Sequence, residues 1–258
     1  MHHFIVIGNP ISHSKSPQIH HAFAHSLGLD ISYARQFCPN DTDSFQAVVE
    51  AFFCGGGTGA NVTLPFKEWA YQLCDELSDH AKAAQAVNTL MLKDNKFCGD
   101  NTDGRGLVAD LLDKGIALKQ KSVAILGAGG ATRGVIQPLL SAGARVSIFN
   151  RTAHKAHTLA QAFDHQINAH ALDELSGHFD VIINATSATT TNQALSLGDV
   201  SCGVAYDMMY GKPSEFLAHF AKAQTFDGFG MLINQAKLSF EWWTGHKVDL
   251  TQVDLSAL

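Results

Sequence analysis

Several residues in this chain combine types and spacings that could do chemistry. The most informative run is Gly127-Ala128-Gly129-Gly130-Ala131-Thr132, directly behind the apolar, β-branched stretch Ser122-Val123-Ala124-Ile125-Leu126. Glycine at a tight strand-to-helix turn lets backbone N–H groups approach a pyrophosphate closely. The helix that follows, through Gly134 to Leu140, presents the positive end of its dipole to anionic oxygens. Thr132 stands where the commonest fingerprint of this kind has its third glycine. One helix and one strand later, Arg145-Val146-Ser147-Ile148-Phe149 ends at Asn150-Arg151-Thr152, with Lys155 close by. An acidic residue in this register binds the free 2′-hydroxyl of NAD. A guanidinium and a hydroxyl instead suit a 2′-phosphate, which arginine meets through two donors at once. The pattern predicts a nucleotide-binding unit that prefers NADP to NAD, with a solvated loop cation as the plainer reading of Arg151.

The first hundred residues hold three further clusters. Ser12, Ser14 and Ser16 lie in Asn9-Pro10-Ile11-Ser12-His13-Ser14-Lys15-Ser16-Pro17, just before a helix. One serine reads as an ordinary N-cap, but three hydroxyls exceed what a cap requires. Ser14 and Ser16 alternate along an extended segment and point the same way, a neutral pair suited to a carboxylate. Lys67 follows a strand and the Pro65-Phe66 turn, where a lysine opposes the helix dipole and is ordinarily a surface residue. Asp103, ahead of Gly104 at a helix start, reads by itself as a cap.

These residues need elements to hold them, and the patterns alternate strand and helix from the start, which is α/β grammar. The patterns predict strands at 4–8, 31–37, 60–63 and 86–93, with helices at 16–27, 43–53 and 67–77. A helix begins near Thr102-Asp103-Gly104 and the nucleotide unit near Lys121; Asp180 to Asn184 and Val204 to Asp207 read as two more buried parallel strands, and Met231 to Trp243 as a final helix. The expected architecture is two α/β domains, the first with a mainly parallel sheet and the second a Rossmann-like domain. With 258 residues, 46% of them hydrophobic, the chain is long enough for two modest cores. The site is expected in the cleft between them.

A net charge of −6 gives no support to nucleic-acid binding, whose footprint is a basic face. No apolar run reaches membrane-spanning length, and Met1 to Ile7 runs into a strand without a basic leader, so a cytoplasmic protein is expected. Five widely spaced cysteines, with no C-x-x-C pair, read as reduced thiols. Fourteen histidines form no H-x-x-x-H pair beside a glutamate, so no metal site is expected.

The segments Gly8 to Pro17, Asn61-Val62-Thr63-Leu64-Pro65-Phe66-Lys67, Ala86-Val87-Asn88-Thr89 and Gly99 to Gly104 are joined, in order, by Tyr206-Asp207-Met208-Met209-Tyr210, Asp227-Gly228-Phe229-Gly230-Met231-Leu232 and Gln235. Through them the chain resembles the shikimate dehydrogenase family over nearly its whole length. The resemblance implies reversible NADPH-dependent reduction of 3-dehydroshikimate to shikimate, a step towards the aromatic amino acids. It implies Lys67 as the catalytic proton carrier, with Asp103 pairing to it and hydrogen-bonding the substrate. Ser14 and Ser16, helped by Tyr210, would hold the substrate carboxylate; Thr63, Asn88 and Gln235 would bind ring hydroxyls. Gly127, Gly129, Gly130 and Ala131 would lie under the pyrophosphate, Asn150, Arg151, Thr152 and Lys155 around the 2′-phosphate, and Met208 and Gly228 beside the nicotinamide. Because Gln235 follows the nucleotide sheet yet serves the substrate, the resemblance implies a discontinuous substrate domain, 1–101 with 232–258, around an NADP domain at 102–231. Closure of the domains is expected, with hinges near residues 101 and 230, and a homodimer fits the same plan.

There are departures from the family's pattern. A second arginine often follows Asn-Arg-Thr, where this chain has His154 and Lys155, predicting a less strict NADP preference. Asn184-Ala185-Thr186-Ser187 matches, but Ala188-Thr189-Thr190-Thr191 replaces a glycine-containing continuation, predicting a longer loop. Asn234 occupies a position commonly small. Three alternatives compete. A quinate/shikimate dehydrogenase with mixed cofactor use is opposed by Arg151-Thr152 and Ser16; a catalytically dead dinucleotide-binding regulator, by the joint presence of Lys67 and Asp103; a methylenetetrahydrofolate-type dehydrogenase, by the Ser14/Ser16 pair.

Overall fold

The computed structural model describes residues 1–186, 195 and 197–256, so Ser187 and the altered loop at 188–191 lie outside the described residues. The chain divides into two compact units, Met1–Thr102 with Ile233–Leu258, and Asp103–Leu232.

The first unit runs β1 (His2–Gly8), α1 (Ser16–Ser26), β2 (Ile31–Phe37), α2 (Thr42–Cys54), β3 (Gly59–Val62), α3 (Lys67–Leu73), β4 (Glu76–Leu77), α4 (Asp79–Ala84), β5 (Thr89–Lys93) and β6 (Lys96–Asp100). Its sheet has the order β2-β1-β3-β5-β6-β4, parallel where β1 meets β2 and β3, antiparallel across β3-β5 and β5-β6. Alternation along β1 assigns the two layers. Ile5 and Ile7 pack with Phe45, Val49, Phe53 and Phe66 of the α2–α3 side. Phe4 stacks instead on Trp243, ring centres 4.9 Å apart, within an aromatic cluster that also holds Phe23, Tyr33 and Phe240. Each such ring, fully buried, is worth about 2 kcal/mol of transfer free energy. Asp41 caps α2 through the Ser44 N–H (2.8 Å) and Ser78 caps α4 through that of Ala81.

Four local expectations change. The helix from Lys67 ends at Leu73, because Asp75 exchanges two hydrogen bonds with Phe97 (Asp75 N to Phe97 O, 2.9 Å; Phe97 N to Asp75 Oδ2, 2.8 Å) and starts β4 at the sheet edge. The strand expected from Ala86 begins at Thr89, and Ala86 to Asn88 form a link instead, with Val87 N bonded to Lys67 O and Asn88 N to Asp100 O. Asp94 and Asn95 both take positive φ (51° and 60°), the backbone of a two-residue hairpin turn, so β5 returns at once as β6. Neither Ser14 nor Ser16 is the N-cap of α1: Lys15 holds that place in a helical conformation, so the serines do not alternate along an extended segment.

The second unit runs α5 (Asp103–Asp113), β7 (Ser122–Leu126), α6 (Gly130–Ser141), β8 (Arg145–Asn150), α7 (Ala153–Gln161), β9 (Asn168–Ala171), β10 (Gly177–Asn184), β11 (Val200–Asp207), α8 (Glu215–His219) and β12 (Gln224–Phe226); the helix Phe229–Thr244 starts here and finishes in the first unit. Its six strands are all parallel, in the order β12-β11-β10-β7-β8-β9. Numbered from β7 this is 6-5-4-1-2-3, the doubly wound dinucleotide-binding order, whose switch point falls between β7 and β10. β9 and β12 are short and partly polar, and carry no periodic signal of their own. Among the described residues no helix is long and apolar enough to cross a membrane, and no group of three or more His, Cys, Asp or Glu could hold a metal ion.

Candidate active site

In the first unit the parallel strands β1 and β3 end side by side, and the loops leaving them are joined: Thr63 N donates to Ile7 O (2.9 Å) and Asn9 N to Leu64 O (3.1 Å). The serine segment and the Thr63-to-Lys67 segment therefore leave the same carboxyl edge of the sheet, the edge where α/β sheets bind ligands. Both loops turn through cis prolines, Pro10 and Pro65. Ser14 Oγ lies 3.2 Å from Ser16 Oγ, so the hydroxyls meet even though α1 begins between them. Arg35 donates twice to the Ser14 carbonyl (2.8 and 2.6 Å) and anchors the segment.

Lys67 is the first residue of α3 and is half-buried. Its carbonyl accepts from Val87 N (2.9 Å), which brings Asn88 alongside. Asn88 is the centre of a buried polar network. Its amide donates to Thr102 Oγ1 (2.9 Å) and Gln235 Oε1 (3.4 Å), while its oxygen accepts from Thr102 N (2.9 Å) and Thr89 Oγ1 (2.8 Å). Asn61 continues it, donating to Asn88 O (3.1 Å) and Ser239 Oγ (3.2 Å) and accepting from Tyr33 Oη (2.6 Å). Leaving one such buried group without a partner costs about 1–3 kcal/mol, so the network fixes its amides before any ligand arrives. Burial pushes the Tyr33 phenol far up, so it stays a neutral donor to Asn61. One helical turn beyond Ser16, His20 stacks on Tyr33 (ring centres 4.4 Å apart), and burial pulls its imidazole down to about 3.

Asn61, Thr102, Ser239 and Tyr33 do not stand out in the sequence as site residues. The available signals are a lone amide inside the buried run Ala60-Asn61-Val62, and Ser239 one turn beyond Gln235 on the same helix face.

In the second unit, Asp103 opens α5, half-buried, and Tyr210 is half-buried in the loop after β11, its phenol pushed up by burial. Gly127 follows β7 with φ +108°, a conformation that favours glycine, and its N–H is held by Phe149 O (2.8 Å). Thr132, in the place of the third glycine, is fully buried and donates to Gly127 O (3.0 Å), closing the turn from within. Gly129 caps α6 without a side-chain bond, and neither Gly129 nor Gly130 has an atom within 4 Å of where a Cβ would stand. The open backbone with its free first-turn amides, including that of Ala131, fits a pyrophosphate. Asn150 ends β8 with its amide on Thr152 O (2.9 Å), and Arg151, Thr152 and Lys155 are exposed around the start of α7. That donor set, with no acid among residues 150–155, fits a 2′-phosphate. Met208 N donates to Asn184 O, and Gly228 N to Met209 O, which places the Met208 and Gly228 backbones together.

Three family profiles match the chain in order: a shikimate dehydrogenase substrate binding domain at residues 6–90, a shikimate/quinate 5-dehydrogenase at 109–196 and a shikimate 5′-dehydrogenase C-terminal domain at 228–255. An NADP(+) shikimate dehydrogenase of Psychrobacter cryohalolentis is 52% identical, covering 97% of this chain and 96% of that one. Among solved structures, an Ael1 enzyme from Pseudomonas putida superposes with a TM-score of 0.89 at 37% identity, covering 97% of this chain and 96% of that one. A shikimate 5-dehydrogenase from Thermus thermophilus, in complex with NADP(H) and shikimate, gives 0.86 at 33% identity, covering 98% and 97%. The chain belongs to the shikimate dehydrogenase family.

Proposed function

We infer that the protein catalyses the reversible NADPH-dependent reduction of 3-dehydroshikimate to shikimate. The observation that carries this reading is the buried Asn61, Asn88, Thr102 and Gln235 network, an arrangement of amides and hydroxyls suited to a small polyhydroxylated ring, ending one residue before Asp103. The NADP-dependent activity named for relatives that match nearly the whole chain supports it.

In this reading the first unit takes the substrate and the second takes NADP. Bound NADPH supplies the hydride. Lys67 Nζ gives a proton to the carbonyl oxygen that becomes the hydroxyl and takes it back in the reverse direction. Asp103 accepts a hydrogen bond from the substrate. Ser14, Ser16 and Tyr210 hold the carboxylate, while Thr63, Asn88 and Gln235 orient the ring hydroxyls. Gly127, Gly129, Gly130 and Ala131 cradle the pyrophosphate, Asn150, Arg151, Thr152 and Lys155 receive the 2′-phosphate, and Met208 and Gly228 flank the nicotinamide. The five cysteines are all free thiols, as a reducing cytoplasm keeps them, and the negative net charge favours a small-molecule enzyme without a nucleic-acid partner.

The test is the initial rate of cofactor reduction with shikimate and with quinate, each with NADP and with NAD. Dominance of shikimate with NADP is expected. A quinate signal would overturn the reading of the substrate side, an NAD signal that of Arg151 and Thr152, and silence in all four would overturn the activity.

A further inference from the structure

Tyr206 is fully buried at the end of β11, where a hydroxyl is costly unless it is satisfied. It donates to Asp110 Oδ2 (2.7 Å). Asp110, equally hidden on α5, is balanced by Lys114 one turn on. Its carboxylate lies against Gly230 so closely that a Cβ there would clash with it, and a side chain at this position would displace the carboxylate.

Each member of this cluster sits a short, rigid step from a residue of the chemistry. Asp110 follows Asp103 by two helical turns, on the same face of α5, about 10.5 Å along its axis. Tyr206 precedes Met208 by two residues, and Gly230 follows Gly228 by two. At Gly228 the fit is again closed, since a Cβ there would fall on the Met208 carbonyl. One buried group of atoms therefore ties together the three backbone segments that carry Asp103, Met208 and Gly228, all within the second unit.

We propose that Tyr206 and Asp110 are positioning residues for the hydride transfer, fixing the Met208 and Gly228 backbones, and so the nicotinamide face, against the helix that carries Asp103. This deepens the reading under Proposed function and rests on it. Such a role predicts an effect on the chemical step larger than on substrate binding, because small misplacements of reacting atoms cost rate steeply.

Tyr206→Phe removes the hydroxyl and keeps the ring; Asp110→Asn keeps an acceptor for that hydroxyl and is the second variant should the first not fold. For Tyr206→Phe, kcat should fall by about 10- to 100-fold, with KM for shikimate within about twofold. The isotope effect on the transferred hydrogen should become larger and more temperature-dependent. Asp110→Asn should lie between that variant and the native protein. Native kcat and native isotope effect with only a lowered melting temperature would make the cluster purely structural and overturn the inference. So would a loss of kcat no greater than the loss of folded protein. A native protein silent with shikimate and NADP overturns both this inference and the function it rests on, whereas an active native protein with unaffected variants overturns this inference alone.

Discussion

The candidate substrate region of the first unit and the candidate cofactor region of the second are built on opposite principles. On the first unit, Asn88 is assigned to the substrate and sits in a network of buried amides and hydroxyls whose bonds are already made: Asn61, Asn88, Thr102 and Ser239 are each at most 6% exposed. On the second, the cations assigned to the 2′-phosphate stand in solvent on the rim after β8. The difference follows from the ligands proposed for them. Hydroxyls on a neutral ring are recognised only by short, directed bonds, so their partners must be fixed in advance. A phosphate carries charge that acts over several ångströms and tolerates mobile side chains. The first region is therefore expected to answer mainly to packing, and the second mainly to salt.

The largest expected effect tests the chemistry that the buried half serves. Lys67→Ala should lower kcat by about 10²- to 10⁴-fold while leaving the melting temperature nearly native, because the side chain is only half-buried at the first residue of α3. Steady-state rates with a thermal melt decide it. Full turnover would remove Lys67 from the proton transfer and leave the buried network as a binding site without its acid.

A second test sharpens the claim that the first unit depends on burial. His20 is fully buried among Tyr33, Phe23, Phe240 and Trp243, and burial lowers its imidazole from 6.5 to about 3. The unfolded chain takes up a proton at this residue below about pH 6.5, while the native state refuses it until near pH 3. Its contribution is thus fully present above pH 6.5 and is lost as pH falls towards 3, by up to about 1.4 kcal/mol per pH unit. Melting temperatures between pH 7 and 4 should fall less steeply for His20→Phe, which keeps the aromatic stack and cannot titrate. Parallel slopes for the two proteins would show that acid sensitivity arises elsewhere.

The same contrast explains what was legible in the sequence. The cofactor half is local: Gly127 to Thr132 behind β7, and Asn150 to Thr152 behind β8, each state their role within a few residues of a strand end. Even there, only the structure explains Thr132, whose hydroxyl closes the turn on Gly127 O. The substrate half joins residues far apart in the chain. Asn88 meets Gln235 across 147 positions and Asn61 meets Ser239 across 178, and no periodicity links them. Gln235 is named only through resemblance, and Asn61, Thr102, Ser239 and Tyr33 emerge with the fold. The hairpin β5-β6 was hidden for a different reason. Its turn, Asp94-Asn95, lacks the glycine that usually signals two positive φ angles.

The smallest expected effect lies on the exposed rim. Arg151→Ala should raise KM for NADP by about tenfold, which corresponds to about 1.4 kcal/mol, and should leave KM for shikimate and the rate with saturating NADP near native. Lys155 remains nearby as a second cation, which limits the loss. Because the rim is solvated, the native KM for NADP should climb as salt rises from about 0.05 to 0.5 M, where the screening length shrinks below 10 Å. The variant should show a flatter climb, and KM for shikimate should be affected less than that for NADP. A salt response equally steep for native protein and variant would mean that Arg151 does not meet the phosphate. The selectivity for NADP would then have to come from Asn150, Thr152 and the first-turn amides of α7, and the two regions would be built more alike than their burial suggests.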